Sequence, residues 1–299
     1  MTAELACAVL SFRDEPFLIE AVSSVLDQGL RIEVVVVNSG GGDPAPRLAA
    51  AGIDVPVYNF AERRYPGGVR NVGIDATNAP YLAFLAADCL AAPGWAAARL
   101  RAHRAGAAAV ASAMTNAHST SLSAWAAFLL LHNRRLAATR PKHRLLYSMS
   151  YDRGVFERFG RFREDLRAGE DTEFNARIQP HVRTEFAADA ITAHRYPTQP
   201  SAMLADAFRR GRLQACMQGA IEQRATPNLR VAARGPLGVL RAIGIVGRTP
   251  GPQRGVLLRS LPLVVAGSLA YTAGALTARD ADVPNGDSVD KSALRRHRT

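Results

Sequence analysis

Asp88 is the lone acid in YLAFLAADCLAAPGW (residues 81–95), where an apolar run ends and Pro-Gly follows. Open α/β sheets bind ligands at the carboxyl ends of their strands, so an acid placed there can hold a cation. Magnesium or manganese needs only one or two protein carboxylates when substrate phosphates complete the shell. A turn aspartate before Pro93 is the other reading. GEDTEF (169–174) sets Glu170, Asp171 and Glu173 at the start of a helical pattern. The helix dipole alone accounts for acids in a first turn. If that turn faces a cleft, one of them can accept a proton from a substrate hydroxyl. His194 closes an apolar run ahead of Arg195, Tyr196 and Pro197, and reads either as a packed histidine or as a metal ligand.

Two glycine-rich stretches add binding capacity. NSGGGD (38–43) leaves an apolar run, and glycines there let backbone N–H groups approach a ligand closely. Asn38 and Ser39 can hydrogen-bond a base or ribose, and a tight strand-to-helix turn is the plainer explanation. No GK[ST] follows, so it is not a P-loop, and it lacks the GxGxxG spacing of a dinucleotide site. GGVRNVGI (67–74) opens a helix, with Arg70 and Asn71 close to the N-terminus. Charge and dipole both favour an anion there, against a solvated arginine at a simple helix start.

The elements needed to position these groups follow from apolar patterning. Residues 5–12, 32–43 (a strand running straight into the glycine loop), 55–60 and 81–88 read as buried strands. Helical patterns over 16–28, 47–53, 69–80 and 94–106 alternate with them. This βαβ alternation predicts an α/β sandwich around a mainly parallel central sheet. Residues 107–114 read as extended, 121–136 as a helix, 186–197 as a strand and 201–224 as an arginine-rich helix. Beyond Gly235 the composition becomes apolar, and Ser260 to Ala278 is 19 residues without a charge. That is near the minimum for crossing a bilayer, but Pro262 and several glycines interrupt it. A crossing helix, an interfacial or re-entrant pair, and a hairpin packed on the globular part all remain open. The expected organisation is residues 1–225 as the catalytic-type domain, 226–279 as basic apolar membrane-associated helices, and 280–299 as a disordered polar tail.

With 299 residues, 48% of them hydrophobic and 21% charged, the chain can bury a sizeable core. Three widely spaced cysteines, Cys7, Cys89 and Cys216, without a CxxC, predict reduced thiols and neither a disulfide frame nor a zinc site. The first residues lack the basic and long apolar regions of a signal peptide, so a cytoplasmic location is expected. The net charge of +11 is concentrated in the C-terminal third, beside the most apolar segment. No aromatic residues interleave those arginines as stacking platforms, which favours an anionic membrane surface over a nucleic acid.

Taken in order, these pieces resemble a family 2 glycosyltransferase of the GT-A fold from about Leu5 to Arg212. SVLDQ (24–28) with IEVVVVNSGGGD resembles the family's S-x-L-x-Q helix and the strand leading to its D-[DS]-G-S-x-D loop. GGVRNVGIDATNAPYLAFLAADCLAAPGW resembles G-x-x-R-N-x-G, then the strand bearing the D-x-D metal motif, then P-G-W. SYDRGVFERFGRFREDLRAGEDTEF resembles the acceptor-side segment ending in the E-D pair, and AHRYP the late histidine segment. The resemblance implies a divalent metal, Mg2+ or Mn2+, held by Asp88 and His194. It implies Asp171 as catalytic base with Glu170 beside it. Nucleotide-sugar contacts would come from Ser11, Arg13, Asn38, Arg70 and Asn71.

The chain departs from the pattern twice: Ala86 stands at the first acid of D-x-D, and Asn38 replaces the aspartate that usually recognises the base. The reaction implied is an inverting transfer of a sugar from a nucleotide-sugar donor to a hydroxyl. The basic apolar C-terminus points to a lipid-linked or envelope-glycan acceptor at the inner face of the cytoplasmic membrane. A degenerate nucleotide-sugar-binding protein is the competing expectation. A nucleotidyltransferase is a weaker one, since SFRDEPFL lacks the glycines of such a loop.

Overall fold

The computed structural model describes residues 2–13, 15–137, 149–167, 169–222, 229–249 and 251–278. Contacts group the chain into two units, Met1–Thr115 with Arg144–His194, and Asn116–His143 with Arg195–Thr299. The boundary expected at residue 225 and the tail expected from 280 lie outside the described residues.

In chain order the elements are β1 (Leu5–Phe12), α1 (Leu18–Leu26), β2 (Ile32–Ser39), α2 (Ala45–Ala50), β3 (Val57–Phe60), α3 (Pro66–Asp75), β4 (Tyr81–Ala86), β5 (Cys89–Ala91), α4 (Trp95–Arg104) and β6 (Ala109–Asn116). Then come α5 (Leu122–Leu131), a 3-10 turn at Asn133–Arg135, β7 (Met149–Asp152), α6 (Gly154–Phe159), α7 (Glu170–Ile178), β8 (Thr184–His194), α8 (Pro200–Glu222), α9 (Leu229–Ala232), α10 (Arg234–Val246) and α11 (Pro252–Leu276).

The first unit is built on one eight-stranded sheet of order β3-β2-β1-β4-β7-β6-β8-β5. The βαβ half, β3-β2-β1-β4, is parallel as the alternation predicts. The other half is mixed in: β7 runs antiparallel to both β4 and β6, and β5 runs antiparallel to β8. β1 is buried on both faces, and its residues divide by parity. Leu5, Cys7 and Val9 join Leu18, Val22 and Val25 of α1 in one core layer. Ala6 and Ala8 face the other layer, with Ile74 of α3 and Phe174 of α7. The alanines are small for a reason: a Cβ on Gly73 of α3 would fall 2.5 Å from the Ala8 Cβ. Each fully buried Leu, Val or Phe contributes roughly 1.5–3 kcal/mol, so the two layers fix the sheet firmly.

In the second unit α8 and α11 run together. A Cβ on Gly211 would meet the Tyr271 carbonyl oxygen at 2.0 Å, and one on Gly274 would meet that of Phe208 at 2.0 Å. Glycine at both contacts lets the two backbones touch. The uncharged stretch expected from residue 260 is the later part of α11, which begins at Pro252.

Candidate functional site

β4 stops at Ala86, and Asp88 lies in the turn before the short strand β5, so the acid follows its strand end instead of closing it. β5 pairs with β8 so that Cys89 stands opposite His194. That register brings His194 Nε2 to 3.4 Å from Asp88 Oδ2. The Cys89 thiol is buried against the pair, with Sγ 3.5 Å from Asp88 Oδ1.

The three-residue β5 is held by α1. The Ala91 N–H donates to Ser24 Oγ (3.0 Å), and Gln28 Nε2 donates to the carbonyls of Ala91 (3.3 Å) and Ala92 (3.1 Å). Gln28 Oε1 accepts from the Ala96 N–H at 3.1 Å, tying in the first turn of α4. These contacts give the S-x-L-x-Q pattern its physical meaning, which the sequence alone did not disclose. Ser24 in the last turn of α1 and Gln28, two residues past its end, together clamp the strand that follows Asp88.

On α7, Gly169 takes the left-handed N-cap conformation (φ 87°), and Glu170, Asp171 and Glu173 fill the first turn. Phe174 is fully buried among Tyr151, Phe156 and Phe162, with ring centroids 5.3, 5.4 and 4.5 Å away. Tyr151 Oη donates to Asn175 Oδ1 at 3.0 Å. The aromatic cluster therefore sets where the acids point.

Glu170 is buried and forms an ion pair with Arg70 of α3. Burial pushes its carboxyl above the usual carboxylate range, against the opposing pull of the Arg70 guanidinium. Arg70 itself lies between the Phe84 and Phe162 rings, at 5.7 and 5.6 Å from their centroids. Asp171 is half-buried, and its Oδ1 accepts the Thr172 N–H at 2.7 Å.

The expected nucleotide-side residues separate into two places. Ser11 and Asn38 face each other across the β1–β2 ladder, next to Arg13. The Ser11 hydroxyl accepts the Glu15 N–H at 3.2 Å. Arg13, with φ 55°, is the one non-glycine residue with positive φ among those described, and its guanidinium lies 5.1 Å from the Phe12 ring centroid. Such strained residues cluster at functional sites.

Asn38 is fully buried, and its Nδ2 donates to Gly41 O (3.1 Å) and Asn59 Oδ1 (2.8 Å). Of the two readings of the glycine loop, the bonding of its amides favours the tight turn. The N–H groups of Gly40 and Gly41 already bond to the carbonyls of Glu62 (3.0 Å) and Phe60 (3.2 Å). Asn71 lies elsewhere, on α3. Its Nδ2 donates to Phe162 O (3.0 Å) and Glu164 Oε1 (2.8 Å), and its Oδ1 accepts the Phe162 N–H (3.1 Å). That carboxamide fastens the 162–164 segment over α3, where Gly67 leaves room for the Arg163 carbonyl.

One cleft of the first unit is lined by Leu10, Arg70, Ala86, Cys89, Tyr151 and Asp171, among others. Its lining takes in Asp171 of α7 together with Ala86 and Cys89, which flank the turn that carries Asp88. The donor set fits a divalent ion: the Asp88 carboxylate, the Cys89 thiol and a His194 ring nitrogen all lie within 4.8 Å of one another. Carboxylate and imidazole suit Mn2+, and a carboxylate with phosphate oxygens suits Mg2+. Ala86 lines the same cleft as a methyl group where the D-x-D pattern has its first acid.

A family model described as glycosyl transferase family 2 matches residues 7–160. The succinoglycan biosynthesis protein ExoO of Rhizobium meliloti (strain 1021) is 35% identical over 88 residues, a match covering 28% of this chain and 25% of that protein. Among solved structures, the chain is similar to mannosyltransferase PcManGT from Pyrobaculum calidifontis, in complex with GDP-Man and Mn2+. The TM-score is 0.57 at 16% identity, over 91% of this chain and 86% of the other. It is also similar to residues 1–349 of S. aureus TarS in complex with UDP-GlcNAc, with a TM-score of 0.50 at 15% identity over 90% of each chain. At these identities the structural likeness establishes the fold, a GT-A-type arrangement.

Proposed function

The chain belongs to glycosyl transferase family 2, and we propose that it is an inverting transferase using Asp171 as its base. The donor is a nucleotide sugar, and the acceptor is a hydroxyl of a lipid-linked or envelope glycan at the inner face of the cytoplasmic membrane. The observation that carries this reading is a cleft whose lining brings together Asp171, Arg70, Ala86 and Cys89.

Asp171 accepts the proton of the acceptor hydroxyl as that oxygen forms its bond to the anomeric carbon. The bond from that carbon to the diphosphate breaks in the same displacement, and the nucleoside diphosphate leaves with the electron pair. Asp88 and His194 would hold a divalent ion, which when bound supplies positive charge against the diphosphate. Glu170 holds Arg70 at the cleft wall and thereby positions the first turn of α7. Ser11, Arg13 and Asn38 form the nucleotide end at the tips of β1 and β2. Asn71 acts indirectly, by fastening the 162–164 segment.

Support for the nucleotide-sugar donor comes from the neighbours' bound GDP-Man and UDP-GlcNAc, and for the metal from the neighbour's Mn2+. The glycan acceptor is supported by a relative named for succinoglycan biosynthesis. A screen of nucleotide sugars by mass spectrometry, with membrane extract as acceptor source, tests the proposal. It predicts consumption of one donor with appearance of a glycosylated product. Binding of a donor without any transfer or hydrolysis would mean that Ala86 marks a degenerate site.

A further inference from the structure

α11 has two apolar faces, and only one of them is covered. Leu257, Val264, Gly267, Tyr271 and Ala275 face its helix neighbours in the second unit. On the opposite side Leu258, Val265, Leu269 and Leu276 are 46%, 45%, 67% and 43% exposed. With the exposed Pro262 and Ala273 they recur at helical spacing along one stripe about 27 Å long. α10 repeats the pattern: Gly235, Gly238, Ala242 and Ile245 are buried, while Leu237, Leu240 and Ile243 are 47%, 67% and 51% exposed.

Single exposed leucines are ordinary, but a stripe of exposed apolar residues on each of two helices that pack together is a surface of a kind that soluble proteins avoid. The charge beside the stripes has one sign. From residue 223 to 279 the chain contains eight arginines and no Asp or Glu. Arg234, Arg241, Arg248, Arg254 and Arg259 are exposed on or beside these two helices.

α11 has the length and hydropathy to cross a bilayer, with one third of its apolar window buried. Its packing argues against crossing. It touches α8 backbone to backbone at Gly211 and Gly274, and α8 carries Asp206, Arg209, Arg210 and Arg212. Driving α11 through the hydrocarbon would take those charges with it, at a cost of several kcal/mol each.

We infer that α10 and α11 lie in the plane of an anionic bilayer. Their exposed apolar stripes enter the boundary between headgroups and acyl chains, and the arginines bind the phosphates. This rests on the reading that the chain works at a membrane and names the element and orientation that would place it there.

The full chain is tested by flotation with phosphatidylcholine vesicles that contain or lack phosphatidylglycerol. Binding only to the anionic vesicles is expected. Substituting Arg241, Arg248 and Arg254 together by Gln should weaken it about 100-fold. A Leu258→Ser, Val265→Ser, Leu269→Ser variant should lose it while keeping the thermal unfolding profile, since all three side chains are exposed. Orientation is read from nitroxide depth after Leu258→Cys, Val265→Cys, Leu269→Cys or Leu276→Cys. Equal depth at all four positions is expected. Depth that grades from one end of α11 to the other would show crossing and overturn the inference. Equal binding to both vesicle types would overturn it as well, and so would concentration-dependent dimers that bury the stripe without lipid. Donor turnover by the vesicle-free protein is measured in parallel, so a failed membrane arm is distinguishable from a failed enzymatic reading.

Discussion

His194 Nε2 reaches to 3.4 Å from Asp88 Oδ2 because Cys89, the residue after that aspartate, is the cross-strand partner of His194. The pair thus depends on a strand of three residues, which is too short to hold itself. Ser24 of α1 and Gln28 just past its end hold it, more than sixty residues earlier in the chain. Gln28→Ala should therefore lower Mn2+ affinity about 10-fold without touching a ligand. Asp88→Ala and His194→Ala should each lower it further. Titration of Mn2+ by electron paramagnetic resonance reads all three, and unchanged binding in Gln28→Ala would detach the motif from the metal site.

Gly40, Gly41 and Gly42 take φ values of 84°, 93° and 75° in succession, a run that side-chain-bearing residues resist. A Cβ on Gly41 would meet only the Ala61 carbonyl oxygen, at an ordinary 3.9 Å, so Gly41→Ala should cost only the conformational penalty, about 1–2 kcal/mol. At Gly40 the new Cβ would also fall 2.5 Å from the Phe12 ring, so Gly40→Ala should cost more. Urea unfolding of both variants gives the order directly, and equal costs would remove the Phe12 contact from the account.

His103 is buried on α4, stacked on Tyr81 at 4.4 Å, with its ring nitrogens 2.7 Å from Ala107 O and 2.8 Å from Ser150 Oγ. Burial is the main cause that brings its pKa down from 6.5 to about 4. The unfolded chain takes up this proton first as pH falls. The stability contribution is therefore complete above pH 6.5 and is lost as pH drops through the window down to about 4. Between pH 7 and pH 5 the loss amounts to about 2 kcal/mol. Chemical unfolding of the wild type and of His103→Gln at both values isolates it. A variant that loses as much as the wild type would assign the pH sensitivity elsewhere.

The parallel half of the sheet was legible because buried parallel strands are continuous apolar runs separated by helices of regular period. Residues 5–12 form β1, and β2 occupies Ile32–Ser39, the apolar part of the 32–43 run before its glycines. β5 and β7 were not legible, since three or four residues carry no period and owe their existence to partners far along the chain. The same holds for the site. Asp88, Asp171 and His194 stand out as residue types at suggestive positions. The Arg70–Glu170 pair spans one hundred residues of sequence, and the bonds of the Asn71 carboxamide to Phe162 and Glu164 span a little over ninety. The glycine loop had the composition of an anion cradle, and only the carbonyls of Phe60 and Glu62 reveal that two of its amides are taken.

The two acids that open α7 separate the roles proposed for them. Glu170→Gln keeps the volume but removes the charge that pairs with Arg70, so it should reduce donor turnover through positioning. Arg70→Lys cannot reproduce the guanidinium held between Phe84 and Phe162 and should mimic it. The two changes combined should cost less than the sum of their separate effects, because both disturb one pair. Additive effects would show that the residues act independently.

In the proposed mechanism Asp171 takes the proton from the acceptor. Single-turnover transfer by Asp171→Asn, with the donor identified by the screen and its binding measured on the same sample, tests it most directly. Donor affinity should stay close to wild type while the transfer rate falls by about 100- to 10,000-fold. A transfer rate within a few-fold of wild type, with the donor bound, would contradict it.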